Sequence, residues 1–97
     1  MAERRIVRRP RAEADLIDIW LHIASDSPLV ADRQIDRIGE SILRLARFPE
    51  MSVARPDIAE GVRVLSVRPF LVLFQFDSDK VEIVRSSTGL ATFLRSS

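Results

Sequence analysis

Two arginines stand in otherwise apolar segments of the second half of the chain, and they are its best candidates for chemistry. Arg63 begins the segment Arg-Val-Leu-Ser-Val, and Arg85 ends the segment Val-Glu-Ile-Val-Arg. Because strand side chains alternate between two faces, each arginine is expected to share a face with the apolar residues two and four positions away. A guanidinium on such a face needs a carboxylate, a carbonyl oxygen or a phosphate, since an unpaired charge there is costly.

Two interpretations of this arginine pair stay open. In the structural one, the arginines form ion pairs with nearby acidic residues, for which the sequence offers Asp15, Asp18, Asp57 and Glu60. In the functional one, they form a concave basic patch that binds an RNA phosphate or an acidic partner. The two interpretations can hold together in one protein.

The other polar residues give weaker indications. His22 is the only histidine, and it lies one helical turn from Asp18 and from Asp26, which is more typical of a solvated helix face than of a metal site. The hydroxyls at positions 86–88 have no second histidine to activate them. The three glycines are isolated, so no phosphate-binding loop is predicted. The sequence therefore predicts no metal, no cofactor and no nucleophilic site.

The segments that carry the two arginines are predicted to form an antiparallel meander. Segments 62–67, 70–76 and 81–85 are rich in β-branched and aromatic residues and are separated by turn-forming residues. Segment 70–76 is apolar at both odd and even positions, so we expect it to be the central strand, covered on both faces. The short segment from Arg4 to Arg8 surrounds two apolar residues with charge and is typical of an edge strand.

Two amphipathic helices precede the meander. The first begins at Pro10 and carries one apolar stripe, made of Ala12, Leu16, Ile19, Trp20 and Ile23. The second begins after Ser27 as N-cap and should end near Phe48; its stripe is Ala31, Ile35, Ile38, Ile42 and Leu45. The short connection makes the helices antiparallel neighbours, and one stripe each requires them to pack on the sheet.

The rest of the chain has no clear period. Residues 49–61 contain two prolines and a glycine and are predicted to be a loop. The predicted fold is therefore α+β, in the order β-α-α-β-β-β, with the helical hairpin on one face of a twisted, mainly antiparallel sheet. A short C-terminal tail or helix follows and carries Leu90, Phe93 and Leu94.

Composition limits the classes of protein. A chain of 97 residues is predicted to form a single domain spanning residues 1–97. It has no cysteine and no apolar run long enough to cross a membrane, so a cytoplasmic protein is expected. Net charge is +1, although five arginines fall within the first eleven residues. We interpret these as a charged edge strand rather than as a phosphate-binding arm.

Several segments occur in an order typical of one family. The chain carries Ala-Asp-Leu-Ile-Asp-Ile-Trp at 14–20, Phe-Pro-Glu-Met at 48–51, Arg-Pro-Asp at 55–57, Gly-Val-Arg-Val-Leu at 61–65 and Val-Glu-Ile-Val-Arg at 81–85. With the second helix between them, these segments cover nearly the whole chain and resemble the ParE branch of the RelE/ParE toxin superfamily. The family's order of strand, two helices and three strands is also the order that periodicity predicts.

The resemblance implies a toxin of a type II toxin–antitoxin system that inhibits DNA gyrase by binding. RelE-like relatives instead cut messenger RNA on the ribosome, which requires a proton acceptor, a proton donor and cations for the phosphate. Arg63 and Arg85 match the family's sheet arginines. Thr88, however, stands where many relatives carry a histidine, and the chain has no tyrosine, so the general acid is missing.

We therefore expect a toxin that acts by binding and not as an enzyme. Two alternatives remain. One is a ribosome-dependent endoribonuclease of RelE type that uses a base such as Glu50 or Glu60, and the other is a decayed toxin that acts only as an antitoxin-bound corepressor.

The resemblance also implies a ParD-like antitoxin that is partly disordered until it binds. We expect a hetero-oligomer in which the antitoxin docks along the helical hairpin and adds a strand to the sheet edge. Sequence-specific DNA binding by the chain alone is not expected. The residues expected to contact the antitoxin or the target are Trp20, Arg63, Arg68, Arg85, Leu90, Phe93 and Leu94.

Overall fold

The computed structural model describes residues 4–87, which form one layer of helices on one five-stranded sheet. The helices are α1 (Pro10–Ala24) and α2 (Pro28–Arg47), followed by a 3-10 helix (Pro49–Met51). The strands are β1 (Arg5–Arg8), β2 (Val53–Ala54), β3 (Arg63–Val67), β4 (Phe70–Phe76) and β5 (Lys80–Ser87). Their order across the sheet is β1-β5-β4-β3-β2. The β1–β5 pairing is parallel and the others are antiparallel, so the predicted fold class is confirmed.

The helices begin and end where their sequences predict. Pro10 and Pro28 occupy the first turns, where a missing backbone N–H costs nothing. The Ser27 side chain accepts a hydrogen bond from the backbone N–H of Val30 at 3.3 Å, which caps α2. After Arg47, Pro49 prevents the helix from continuing.

The main core lies between the helical hairpin and the sheet. From α2 it contains Ile38, Ile42 and Leu45, each no more than 1% exposed, and from α1 it contains Ala12. The sheet contributes alternate residues of β3, β4 and β5, which are Leu65, Val67, Phe70, Val72, Phe74, Val81 and Ile83. Because strand side chains alternate, this one set forms the face that the helices cover.

Strand β4 is the central strand, as predicted, and a different element covers its second face. Leu73 points away from the helices and is 4% exposed, because it packs in a smaller cluster with Val62, Val64, Ile58 and Leu71. Ile58 belongs to the segment between β2 and β3, so this segment shields the outer face of the sheet. Burial on both sides explains why β4 is apolar at every position except Gln75.

The prediction that residues 49–61 form only a loop is wrong in its first half. This segment contains the 3-10 helix and β2, whose Val53 and Ala54 pair antiparallel with Val64 and Arg63. Two residues are too few for an alternating pattern, so periodicity carried no signal for this strand. The sheet therefore has one more strand than predicted, and it lies at the edge.

The N-terminal strand is fastened to the β4–β5 hairpin. Arg5 donates its backbone N–H to the carbonyl of Asp79 at 2.9 Å and forms an ion pair with the Asp79 carboxylate at 2.7 Å. Arg4 donates from Nε to the carbonyl of Asp77 at 2.7 Å. Among residues 4–87, neither helix combines the length and apolar composition that a bilayer-spanning helix requires.

Candidate interaction surfaces

Arg85 forms an internal ion pair with Asp15 of α1. Its Nε and Nη2 donate to the two carboxylate oxygens at 2.8 Å and 3.2 Å, and the backbone N–H of Ser86 donates to the same carboxylate at 2.9 Å. The side chains of Arg85 and Asp15 are only 15% and 13% exposed. The hydrogen bond to Asp15 raises the pKa of Arg85, so the guanidinium is held charged. Of the two interpretations, Arg85 fits the structural one.

A bulge in β5 positions this ion pair. Ile83 pairs with Phe74 whereas Arg85 pairs with Leu73, so the register skips Val84. The extra residue, Val84, reverses the alternation of side chains between the two faces of the sheet. Ser86, the residue after Arg85, therefore lies on the core side and is 3% exposed. The bulge thereby lets both the Arg85 side chain and the Ser86 N–H reach Asp15.

Arg63 is bound by neutral oxygens. Its Nε donates to Ser52 Oγ and its Nη2 donates to the Ser52 carbonyl, both at 2.8 Å. Its guanidinium lies 5.9 Å from the centroid of the Phe76 ring, and that of Arg4 lies 5.4 Å from the same ring. Within the described part of the chain, Arg63 has no carboxylate partner, so the ion pairs considered for it do not form.

The two sheet arginines therefore do not form one patch. They flank β4 opposite adjacent residues, since Arg63 pairs with Phe74 and Arg85 with Leu73. This places their backbones roughly 10 Å apart, two strand spacings. Their side chains nevertheless bind different elements, one the segment after the 3-10 helix and the other α1.

A cleft of about 420 Å³ opens beside the Arg85–Asp15 pair, and His22, Phe70 and Ser86 also line it. The Ser86 hydroxyl is buried and has no hydrogen-bond partner in residues 4–87. No hydrogen bond joins it to His22 in that range, so no activated nucleophile is assembled there. The described residues likewise contain no group of three or more side chains placed to hold a metal ion.

Arg68, in the turn between β3 and β4, lies in a different pocket. This pocket has a volume of about 390 Å³ and is lined by Arg37, Glu40, Ser41 and Arg44 of α2 together with Ser66, Val67 and Arg68. The Nη2 of Arg37 donates to the carbonyl of Arg68 at 3.2 Å, which ties helix to turn. Sequence reasoning missed Arg37 and Arg44. Their spacing of seven residues on one helix face was the available signal.

Trp20 joins the two helices. Its indole Nε1 donates to Asp32 Oδ1 at 2.8 Å, while the ring belongs to the predicted stripe of α1 and is partly buried. Trp20 therefore has a structural role in joining α1 to α2, and its predicted contact with a partner stays a prediction. The other predicted contact residues, Leu90, Phe93 and Leu94, lie outside the described residues.

A groove with a largely apolar lining lies between α2 and the edge strand β1. It has a volume of about 400 Å³ and is lined mainly by Ile6, Ile35, Gly39, Ile42 and Leu43. A Cβ added to Gly39 would meet no atom within 4 Å, so the groove is open above this residue. Exposed apolar side chains also occur on α1, where Ile17 and Leu21 are 58% and 57% exposed. Such surfaces are typical of protein-binding sites.

Comparison with known proteins gives one consistent family. A family model described as the ParE toxin of the type II toxin-antitoxin system parDE matches residues 6–85. Toxin ParE3 of Caulobacter vibrioides is 30% identical over 86 residues, which are 88% of this chain and 86% of that protein. A solved structure of the chromosomal ParDE TA system from P. aeruginosa is 25% identical with a TM-score of 0.74, and the match covers 88% of this chain and 95% of that one.

The match of the family model includes both helices and the sheet arginines. It begins in β1 and ends in β5 at Arg85, so it overlaps every helix and strand described above. The chain therefore belongs to the ParE toxin family of type II toxin–antitoxin systems.

Proposed function

We propose that this chain poisons DNA gyrase by binding to it, and that a ParD-like antitoxin neutralises it by binding in turn. Membership of the ParE family supports a toxin, and the similarity to the chromosomal ParDE TA system of P. aeruginosa supports an antitoxin partner. The observation that carries the binding mode is the bidentate bond between Arg85 and Asp15. It engages one of the two sheet arginines internally.

The chemistry of RNA cleavage finds little support on this sheet. Cleavage through the ribose 2′-hydroxyl needs a proton acceptor, a proton donor and a cation beside one phosphate. Arg85 is occupied by Asp15, and Arg63 is bound to the backbone and hydroxyl oxygens of Ser52. A protein–protein mechanism makes no such demand, because it needs only complementary exposed surface.

Of the surfaces described above, the groove between α2 and β1 is the best candidate for the antitoxin-binding site. In the described residues β1 pairs with a strand on one side only, so its other edge can accept an added strand. The groove beside that edge is lined by Ile6, Ile35 and Leu43, which can receive alternate side chains of the added strand. An antitoxin that folds on binding would fill both at once.

A supercoiling assay tests the proposal. Purified protein is added to gyrase, relaxed plasmid and ATP, and we expect loss of supercoiling and accumulation of cleaved plasmid. Preincubation with a cognate ParD-like antitoxin should restore supercoiling. Gly39→Leu is the variant for the groove: its side chain enters open space, so it should weaken antitoxin rescue while leaving gyrase inhibition intact.

Two results would count against this function. Unchanged supercoiling at every protein concentration, while the same preparation binds antitoxin, would support the decayed toxin that survives as a corepressor. Cleavage of messenger RNA in a translation extract by the purified protein would support the RelE-type enzyme. Arg63→Ala is informative there, since loss of that cleavage would make Arg63 a phosphate ligand.

A further inference from the structure

The arginine pocket between α2 and the β3–β4 turn brings three arginines together, and none of them forms an ion pair with a carboxylate within residues 4–87. Arg37, Arg44 and Arg68 line it together with Ser41 and Ser66. We propose that this pocket receives acidic side chains of the antitoxin. The inference rests on the proposed function, since it assumes that an antitoxin binds this chain.

The cations of this pocket have only neutral acceptors. Arg37 donates to Gln34 Oε1 at 2.9 Å and to the Arg68 carbonyl at 3.2 Å, and Arg44 donates to Ser41 Oγ at 3.1 Å. The Arg68 side chain is exposed and makes no hydrogen bond or ion pair within residues 4–87. Three like charges at one pocket repel one another, so an entering anion is favoured by each of them.

Four arginines outside this pocket are engaged in close ion pairs. Arg5 pairs with Asp79 at 2.7 Å, Arg9 with Glu82 at 2.9 Å, and Arg55 with Asp57 at 2.6 Å. Arg85 pairs with Asp15 at 2.8 Å. An acidic partner would have to break an existing ion pair to use these groups, whereas in the pocket it gains new ones.

Glu40 is the single carboxylate that lines the pocket. It forms no ion pair with any arginine of residues 4–87 within 4.0 Å, although it lies three residues after Arg37 and four before Arg44. Its charge lowers the attraction for an entering anion without occupying the site. Glu40→Gln should therefore strengthen binding.

The charge distribution favours a few carboxylates over a nucleic-acid backbone. Binding to duplex DNA requires many phosphates to be neutralised along a basic track. The chain has a net charge of only +1, and its paired arginines do not extend the pocket into such a track. A pocket of about 390 Å³ can hold one or two acidic side chains, to which guanidinium groups can bind bidentately.

The test compares two double variants of equal charge. Arg44→Gln with Arg68→Gln removes two pocket cations. Arg11→Gln with Arg33→Gln removes two exposed arginines that make no hydrogen bond or ion pair within residues 4–87. Calorimetric titration with the antitoxin should give about tenfold or more weaker binding for the pocket variant and little change for the control. Glu40→Gln should bind more tightly than wild type, and this gain should shrink with added salt.

Each outcome decides the question. If wild type binds antitoxin and the pocket variant binds as tightly as the control, the inference is wrong and the proposed function stands. If wild type binds no antitoxin, the proposed function fails and this inference with it. A fluorescent duplex DNA is the second probe. Loss of DNA binding in the pocket variant with unchanged antitoxin affinity would assign the pocket to nucleic acid and overturn the inference.

Discussion

Asp15 and Arg85 hold α1 against the bulged end of β5, across 70 residues of sequence. The carboxylate receives three hydrogen bonds, two from the guanidinium and one from the Ser86 backbone N–H. Both side chains are largely buried, so each charge depends on the other. Arg85, which the sequence suggested as a ligand-binding residue, therefore has a structural role: it holds α1 against β5.

Asp15→Ala should destabilise the protein by about 2–4 kcal/mol, because it leaves the Arg85 charge and the Ser86 N–H without their acceptor. Urea denaturation followed by circular dichroism measures this. The double variant Asp15→Ala, Arg85→Ala should recover part of the loss, since no unpaired charge remains. Additive single-variant losses would contradict the coupling that this geometry requires.

The sequence predicts this fold well because most elements carry their own signal. The apolar stripes of α1 and α2 repeat over several helical turns, and β4 is a run of seven residues that is apolar at both odd and even positions. The partners of the arginines are not predictable in the same way. Arg85 reaches Asp15 through a bulge at Val84, and Arg63 finds Ser52 beside a strand of two residues. Both depend on register, which periodicity does not contain.

The arginine pocket shows a second limit of sequence reasoning. Arg68 was a candidate from the sequence, but its neighbours Arg37 and Arg44 come from a helix that precedes it by more than twenty residues. Only the packing of α2 across the sheet brings them to one turn. Conversely, the clamp between Trp20 and Asp32 shows that a predicted contact residue can already have a partner inside the fold.

The stability that the Asp77 carboxylate contributes should be lost in acid. The backbone N–H groups of Asp79 and Lys80 donate to its Oδ1 at 2.8 Å and 2.9 Å, and these bonds lower the pKa of Asp77. A folded-state pKa below the unfolded value of about 3.9 means that the stabilisation is complete above that pH. It is lost as the pH falls through the folded-state pKa.

Urea midpoints of wild type and Asp77→Asn, measured from neutral pH into the acid range, check this. The two proteins should differ most near neutral pH and converge below about pH 4. Asp36→Asn is the control: Asp36 is exposed on α2 and has no hydrogen bond or ion pair in residues 4–87. A wild-type to Asp77→Asn difference that stays constant with pH would rule out the carboxylate as its cause.

The two glycines of the described chain should respond oppositely to alanine. Gly39 lies inside α2 and a new Cβ meets open space, so Gly39→Ala should stabilise by about 0.5–1 kcal/mol. Gly61 has φ of +76°, a conformation that alanine adopts only with strain, so Gly61→Ala should destabilise by about 1 kcal/mol. Thermal unfolding of both variants measures the signs. Equal shifts would contradict the backbone argument.

Asp32→Ala should weaken the contact between the helices. It removes the acceptor of the Trp20 indole N–H, which costs about 0.5–1.5 kcal/mol. Trp20 is the only tryptophan, so the change in its emission maximum reports the loss directly. Asp36→Ala, on the same helix without such a bond, should leave the emission unchanged. An unchanged spectrum for Asp32→Ala would show that the hydrogen bond does not form in solution.

A lysine substitution at Arg63 tests whether this arginine has a structural role or a role in binding the target. Its planar fork donates twice to Ser52 and lies near the Phe76 ring, which a lysine ammonium cannot reproduce. Arg63→Lys should therefore destabilise by about 1–2 kcal/mol although the charge is kept. Gyrase inhibition is then measured at a temperature where the variant is fully folded. Full inhibition under these conditions would mean that Arg63 is needed only to hold the segment after the 3-10 helix. If the Arg63 guanidinium contacts the target, the folded variant should still inhibit gyrase less than wild type.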